Sequence, residues 1–267
     1  MRRETAIHQR PVVWFSAALL AVIMTVMEMT ALPAALFLKI EAADIDPMYL
    51  TLMANFLLAG LLCLLWRYTL GRTWRFGLQG AGTGEALRKH GLPALAATGI
   101  VAAAFCIGLA PFDNKPTLWR VLVEGFVYYI GVGIMEETYL RGLLQNLLAG
   151  CFAGRRHASL WAVLITSALF GLGHIVGCIG QPLLTGVCKV LWAAALGVYF
   201  GAVYIRTRNL TAVMLLHALI DFCGVPFCFS TSNQYPPIAL AACVGCFGLL
   251  GVYGLMLLKG ESPVQSE

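Results

Sequence analysis

Apolar runs near 20 residues long recur along this 267-residue chain, each long enough to cross the roughly 30 Å hydrocarbon core of a bilayer as a helix. No other feature constrains the fold as tightly. In lipid every backbone N–H and C=O must be satisfied internally, so a spanning segment is either a helix or a strand of a closed barrel. The runs are continuously apolar, without the alternation that barrel strands require, and this selects helices. They fall near residues 12–37, 47–66, 91–110, 118–149, 158–177, 183–205, 210–228 and 236–258. Only 12% of residues are charged, against about a quarter in soluble domains. The expected fold is all-α: a polytopic membrane protein of about eight transmembrane helices in one bundle. The fourth helix is long enough to overrun the bilayer or tilt.

Basic residues between spans set the orientation, because flanking Lys and Arg are retained on the cytoplasmic side. In an eight-span arrangement Arg2, Arg3, Arg10, Arg67, Arg72, Arg75, Arg88, Lys89, Arg155, Arg156, Arg206, Arg208 and Lys259 fall on one side. Lys39, Lys115, Arg120 and Lys189 fall on the other. Both termini are therefore expected in the cytoplasm, and the compact loops suit a bacterial plasma membrane. The formal charge of +5 is spread over several loops. It reads as a topology signal and an attraction to the lipid bilayer, and implies no nucleic-acid partner. The start, MRRETAIHQR, has the basic flank of a signal peptide, but the following apolar run is too long for one and reads as an uncleaved first helix. The nine cysteines lie mostly within or at the ends of spans, where they act as small apolar residues, so no disulfides are expected.

The longest polar stretch, 67–90, is glycine-rich and basic and reads as a cytoplasmic loop. It divides the chain into N-terminal transmembrane helices with that loop, 1–90, and a core over 91–260 that carries nearly every intramembrane polar residue, Glu28 and Asn55 excepted. No repeat of 20 to 50 residues is present, which counts against a transporter of duplicated halves.

Ionisable groups inside a membrane span are costly and usually mark a functional site. In YYIGVGIMEETYLRGLLQNLL, helical spacing puts Glu137 and Arg141 at i and i+4, able to pair. Glu136 is rotated by about 100° from Glu137 and faces another partner. The fifth span contributes His174, stacked four residues after Phe170, and the seventh His217 and Asp221, again at i and i+4. A carboxylate and imidazoles in a water-excluding cavity can activate water and steady an oxyanion, which makes hydrolysis the expected chemistry. The same Glu, His and Asp residues could instead form the relay of a proton-coupled transporter or channel.

The blocks EETYLRG, FGLGH and HALID resemble, in order and spacing, the signatures of the CPBP intramembrane proteases, the family of the type II CAAX prenyl proteases and Abi-type bacterial homologues. The resemblance covers roughly 118–228 and implies an intramembrane endopeptidase with an eight-helix domain. By position it implies that Glu136 and His174 activate the attacking water, that His217 and Asp221 hold the water or the oxyanion, and that Glu137 with Arg141 organises the site, beside Phe170. The implied substrate is a membrane peptide or a lipidated protein, prenylated where CAAX processing applies. Prenyl-processing members carry Asn where this chain has Asp221, and Asp also suits a metal. Both a glutamate-dependent and a metallo-endopeptidase therefore stay open, with Glu136, His174, His217 and Asp221 as the ligand set if a divalent ion such as zinc is held. A noncatalytic scaffold within the family is a further alternative.

Overall fold

The computed structural model describes residues 10–29, 47–69, 77–78, 81–232 and 234–259, and the regular structure among them is all helical, with no strands. The helices are α1 (Pro11–Met29), α2 (Pro47–Thr69), α3 (Thr83–Gly108), α4 (Leu118–Cys151), α5 (Ala158–Gly173, with a 3₁₀ turn Val176–Cys178), α6 (Leu183–Thr207), α7 (Leu210–Asp221, continued as 3₁₀ helix Phe222–Phe229) and α8 (Pro237–Leu258).

Six of them, α3 to α8, are long and apolar enough to cross a membrane. Among the described residues the apolar stretches of α1 and α2 are shorter, Pro11–Met24 and Leu50–Trp66, so six of the expected eight or so spans reach full length there. The expected continuation of the first span to residue 37, and the side chain of Glu28, lie outside the described residues. The third helix begins at Thr83 rather than 91, because the polar first turns, with Glu85 in the first, extend the helix into what reads as loop.

Alternation of direction brings the start of α3, the α4–α5 and α6–α7 connections and the end of α8 to one end of the bundle. Arg88, Lys89, Arg155, Arg156, Arg206, Arg208 and Lys259 are all exposed there. Asn209 ties this end together. Its Oδ1 accepts from Ala212 N at 2.9 Å, capping α7, and its Nδ2 reaches Ala81 O and Thr83 Oγ1 at the start of α3. The opposite end gathers 109–117, 174–182 and 230–236, where Asp113 accepts from the amide and hydroxyl of Thr231.

Small residues let the helices approach, as is usual where lipid supplies no hydrophobic drive between them. Gly133 of α4 lies against α7, where a β-carbon would meet Met214 O at 2.6 Å. Gly197 of α6 lies against Ser167 of α5, with its would-be β-carbon 2.8 Å from Ser167 Cα. α6 also packs on α8, and Tyr199 donates to His90 O while Tyr253 Oη meets His90 Nδ1 at 3.0 Å, joining α3, α6 and α8. All nine cysteines are free.

Candidate active site

The acids Glu136 and Glu137 end the regular α-helical part of α4, which continues as π-helix over Thr138–Gln145 before returning to α-helix at Asn146. A π segment contains an extra residue per turn and leaves carbonyls out of the α pattern, an arrangement common at functional sites. Asn146 Nδ2 sits within hydrogen-bond reach of Arg141 O, Gly142 O and Tyr204 Oη, at 3.1, 2.7 and 2.8 Å, and takes up the displaced carbonyls. The widened turn aims Arg141 and Gln145 together at α6. Arg141 Nη2 donates to Gly197 O and Gln145 Nε2 to Gly201 O, both at 3.1 Å.

Arg141 Nη1 also donates to Glu137 Oε1 at 2.6 Å, and both side chains have no exposed surface. Its guanidinium lies over the faces of Phe170 and Phe200, 5.0 and 5.4 Å from their centroids. The same Glu137 oxygen accepts from His217 Nδ1 at 2.6 Å, a bond between residues 80 apart in the chain. Glu137 therefore serves two donors, one from α4 and one from α7. Phe200 stacks on the His217 ring at 4.7 Å and 17°, and Phe170 meets it edge-on at 5.7 Å.

A carboxylate can only accept, so His217 Nδ1 carries a proton, and Nε2 is turned to the cavity. There it has two neighbours: Glu136 Oε2 and Asp221 Oδ2, each at 3.5 Å. His174 follows the same logic, since its Nδ1 lies 2.8 Å from the Phe170 carbonyl and must donate, leaving Nε2 available. It caps α5 instead of lying within it, because the helix ends at Gly173, and its ring meets Phe170 edge-on at 4.8 Å. Phe170 is thus shared by Arg141, His217 and His174.

Side-chain exposure rises along the site and shows which way it opens. It is 0% at Arg141 and Glu137, 4% at His217, 19% at Glu136 and 27% at Asp221. The closed part lies toward the cation-bearing end, and the accessible carboxylates toward the end that holds the α5–α6 turn. The structure thus gathers Glu136, Glu137, Arg141, Phe170, His217 and Asp221 in one cluster, with His174 at its edge across Phe170. The sequence reading missed Phe200 and the carbonyls of Gly197 and Gly201, none of which titrates. The readable trace was the GVYFG spacing in α6, two glycines four apart.

As placed, the donors do not converge on a metal: among the described residues no three of His, Cys, Asp or Glu are grouped to hold an ion. Glu137 engages His217 Nδ1 and the Phe170 carbonyl engages His174 Nδ1.

In comparison with known proteins, residues 116–223 match the family model described as type II CAAX prenyl endopeptidase, Rce1-like. The matched segment runs from the start of α4 to the first turn after Asp221 and contains all the residues above. No curated protein and no solved structure matches the chain.

Proposed function

We propose, for a chain whose residues 116–223 belong to the Rce1-like family of type II CAAX prenyl endopeptidases, that it hydrolyses a peptide bond of a membrane-anchored substrate through water activated by Glu136. The observation that carries this reading is the approach of Glu136 Oε2 and Asp221 Oδ2 to the one His217 nitrogen turned toward the accessible side.

In this mechanism Glu136 takes a proton from water as the oxygen attacks the scissile carbonyl, and later returns it to the departing amide nitrogen. His174 Nε2 orients the water. Positive charge on His217, balanced by Glu137, supports the oxyanion, while Asp221 fixes the open side of the imidazole. Glu137 and Arg141 do not touch substrate. They hold His217 in one orientation, its Nδ1 proton on Glu137 and Phe200 against its face.

The partner is a peptide held at the bilayer by a lipid chain, a prenyl group in the CAAX case, or by its own apolar segment. Exposed cations crowd one end of the bundle, and we assign that end, with both termini, to the cytoplasm. The open end then faces away from it. With the nine native cysteines replaced by serine or alanine, labelling of Ser232→Cys by an impermeant maleimide from outside intact cells is expected, and labelling only after permeabilisation would reverse the assignment.

Purified protein in proteoliposomes should cleave a farnesylated peptide at a unique bond, with the same rate after exhaustive chelation. Loss of cleavage that returns with added zinc would assign a metalloenzyme. Proton flux without cleavage would assign the relay reading.

A further inference from the structure

Two polar groups at the open end take no part in the chemistry above. Lys189 sits in the second turn of α6, within an apolar span, and none of the ion pairs among the described residues includes it. Its Nζ lies over the 3₁₀ turn that follows His174, 3.5 Å from where a β-carbon on Gly177 would stand. A cation without a close counter-ion in a membrane helix is expensive unless it serves a ligand or a path.

The second group, Tyr129, belongs to α4. It lies seven residues before Glu136, on the same face of α4, two turns nearer the open end. Its ring packs on Phe222 at 5.5 Å, and its hydroxyl lies 3.1 Å from where a β-carbon on Gly224 would stand, just past Asp221. No hydrogen bond among the described residues satisfies this half-buried hydroxyl. Glycine at 177 and at 224 leaves room for one donor beside the turn after His174 and one beside the turn after Asp221.

We propose that Lys189, with Tyr129 as a neutral second donor, forms a carboxylate-binding subsite that anchors the peptide substrate at the open end of the site. An ammonium from α6 and a hydroxyl from α4 suit the two oxygens of a carboxylate, which supplies a close counter-charge for Lys189. Bound there, the anion stands beyond His174 and Asp221 and sets how far the chain enters before a peptide bond meets Glu136. The carboxylate belongs either to the substrate's C-terminus or to an acidic side chain near it. The inference rests on the peptidase reading for its substrate but is tested by binding alone.

The test uses the full-length protein in nanodiscs and three fluorescent farnesylated peptides: one with a free C-terminal carboxylate, its C-terminal amide, and the amide with a glutamate next to its end. Anisotropy reports affinity, and mass spectrometry of the same samples reports cleavage. A charge-assisted hydrogen bond corresponds to a preference of about tenfold or more for acid over amide. Lys189→Met should bring that ratio close to one, Lys189→Arg should keep most of it, and Tyr129→Phe should lower it a few-fold. Recovery by the glutamate peptide identifies a side-chain carboxylate, and its absence a terminal one.

Equal affinity of the wild type for acid and amide overturns the proposal, as does a preference that survives Lys189→Met. Full recovery of the preference in Lys189→Met/Asp221→Asn would reduce the lysine to a neutraliser of Asp221, and also overturns it. Peptides that bind with the acid preference yet are never cut contradict the peptidase reading and leave the subsite standing.

Discussion

Replacing Glu137 by glutamine keeps the shape of the side chain and removes one charge from a place where two donors depend on it. In the wild type its Oε1 accepts from Arg141 Nη1 and His217 Nδ1, both at 2.6 Å, among side chains with 0 to 4% exposure. The glutamine leaves the Arg141 guanidinium buried among Phe170, Phe200 and Gly197 O without a counter-charge. Breaking a buried pair in this way costs about 3–5 kcal/mol, or roughly 10 °C in the melting temperature of a protein of this size. Arg141→Met should cost less, since Glu137 keeps His217. The double variant should be more stable than Glu137→Gln alone, with a coupling energy of about 2 kcal/mol. Thermal unfolding of the four proteins in one detergent measures the cycle. Additive losses would show that Glu137 and Arg141 do not act as a pair, and would refute the reasoning. Cleavage by the double variant should stay low even where stability returns, because His217 has still lost the carboxylate that balances its positive charge.

Gly133→Leu should force α4 from α7, since even a β-carbon would meet Met214 O at 2.6 Å. The variant is expected to lose more than about 2 kcal/mol and its cleavage activity, whereas Gly99→Leu, which faces open space, should lose neither. Asp113, at the open end, has its carboxyl held below the ordinary range by hydrogen bonds from the Thr231 hydroxyl and amide. A depressed carboxyl stabilises the fold above its unfolded pKa. This clip should therefore hold at neutral pH and loosen as pH falls below the usual carboxylate range, read as faster exchange of the Thr231 amide. Thr231→Ala keeps the amide donor and should weaken the pH dependence, whereas Asp113→Asn should abolish it.

The sequence showed the helices and the chemistry of the site unevenly, for physical reasons. Hydropathy and the i, i+4 spacing of Glu137 with Arg141 are local properties, and the structure has that ion pair. The bond from His217 to Glu137 spans 80 residues, and only tertiary packing through Gly133 brings the two together. It gives Glu137 a second role that helical geometry alone did not suggest. The π segment was hidden because an extra residue in a turn leaves no mark on hydropathy. The same holds for the end of α5 at Gly173, which turns His174 from a helix-face residue into a cap. Phe200 looked like any apolar residue of a membrane helix until its ring was found flat against His217.

The central claim is that Glu136, alone among the carboxylates here, activates the water. Its direct measurement is the rate at which Glu136→Gln cleaves a farnesylated peptide in proteoliposomes, beside a melting curve of the same preparation. The account predicts a fall of about a hundredfold or more, the usual contribution of a general base, with an unchanged melting profile. Cleavage by that variant at the wild-type rate would contradict it.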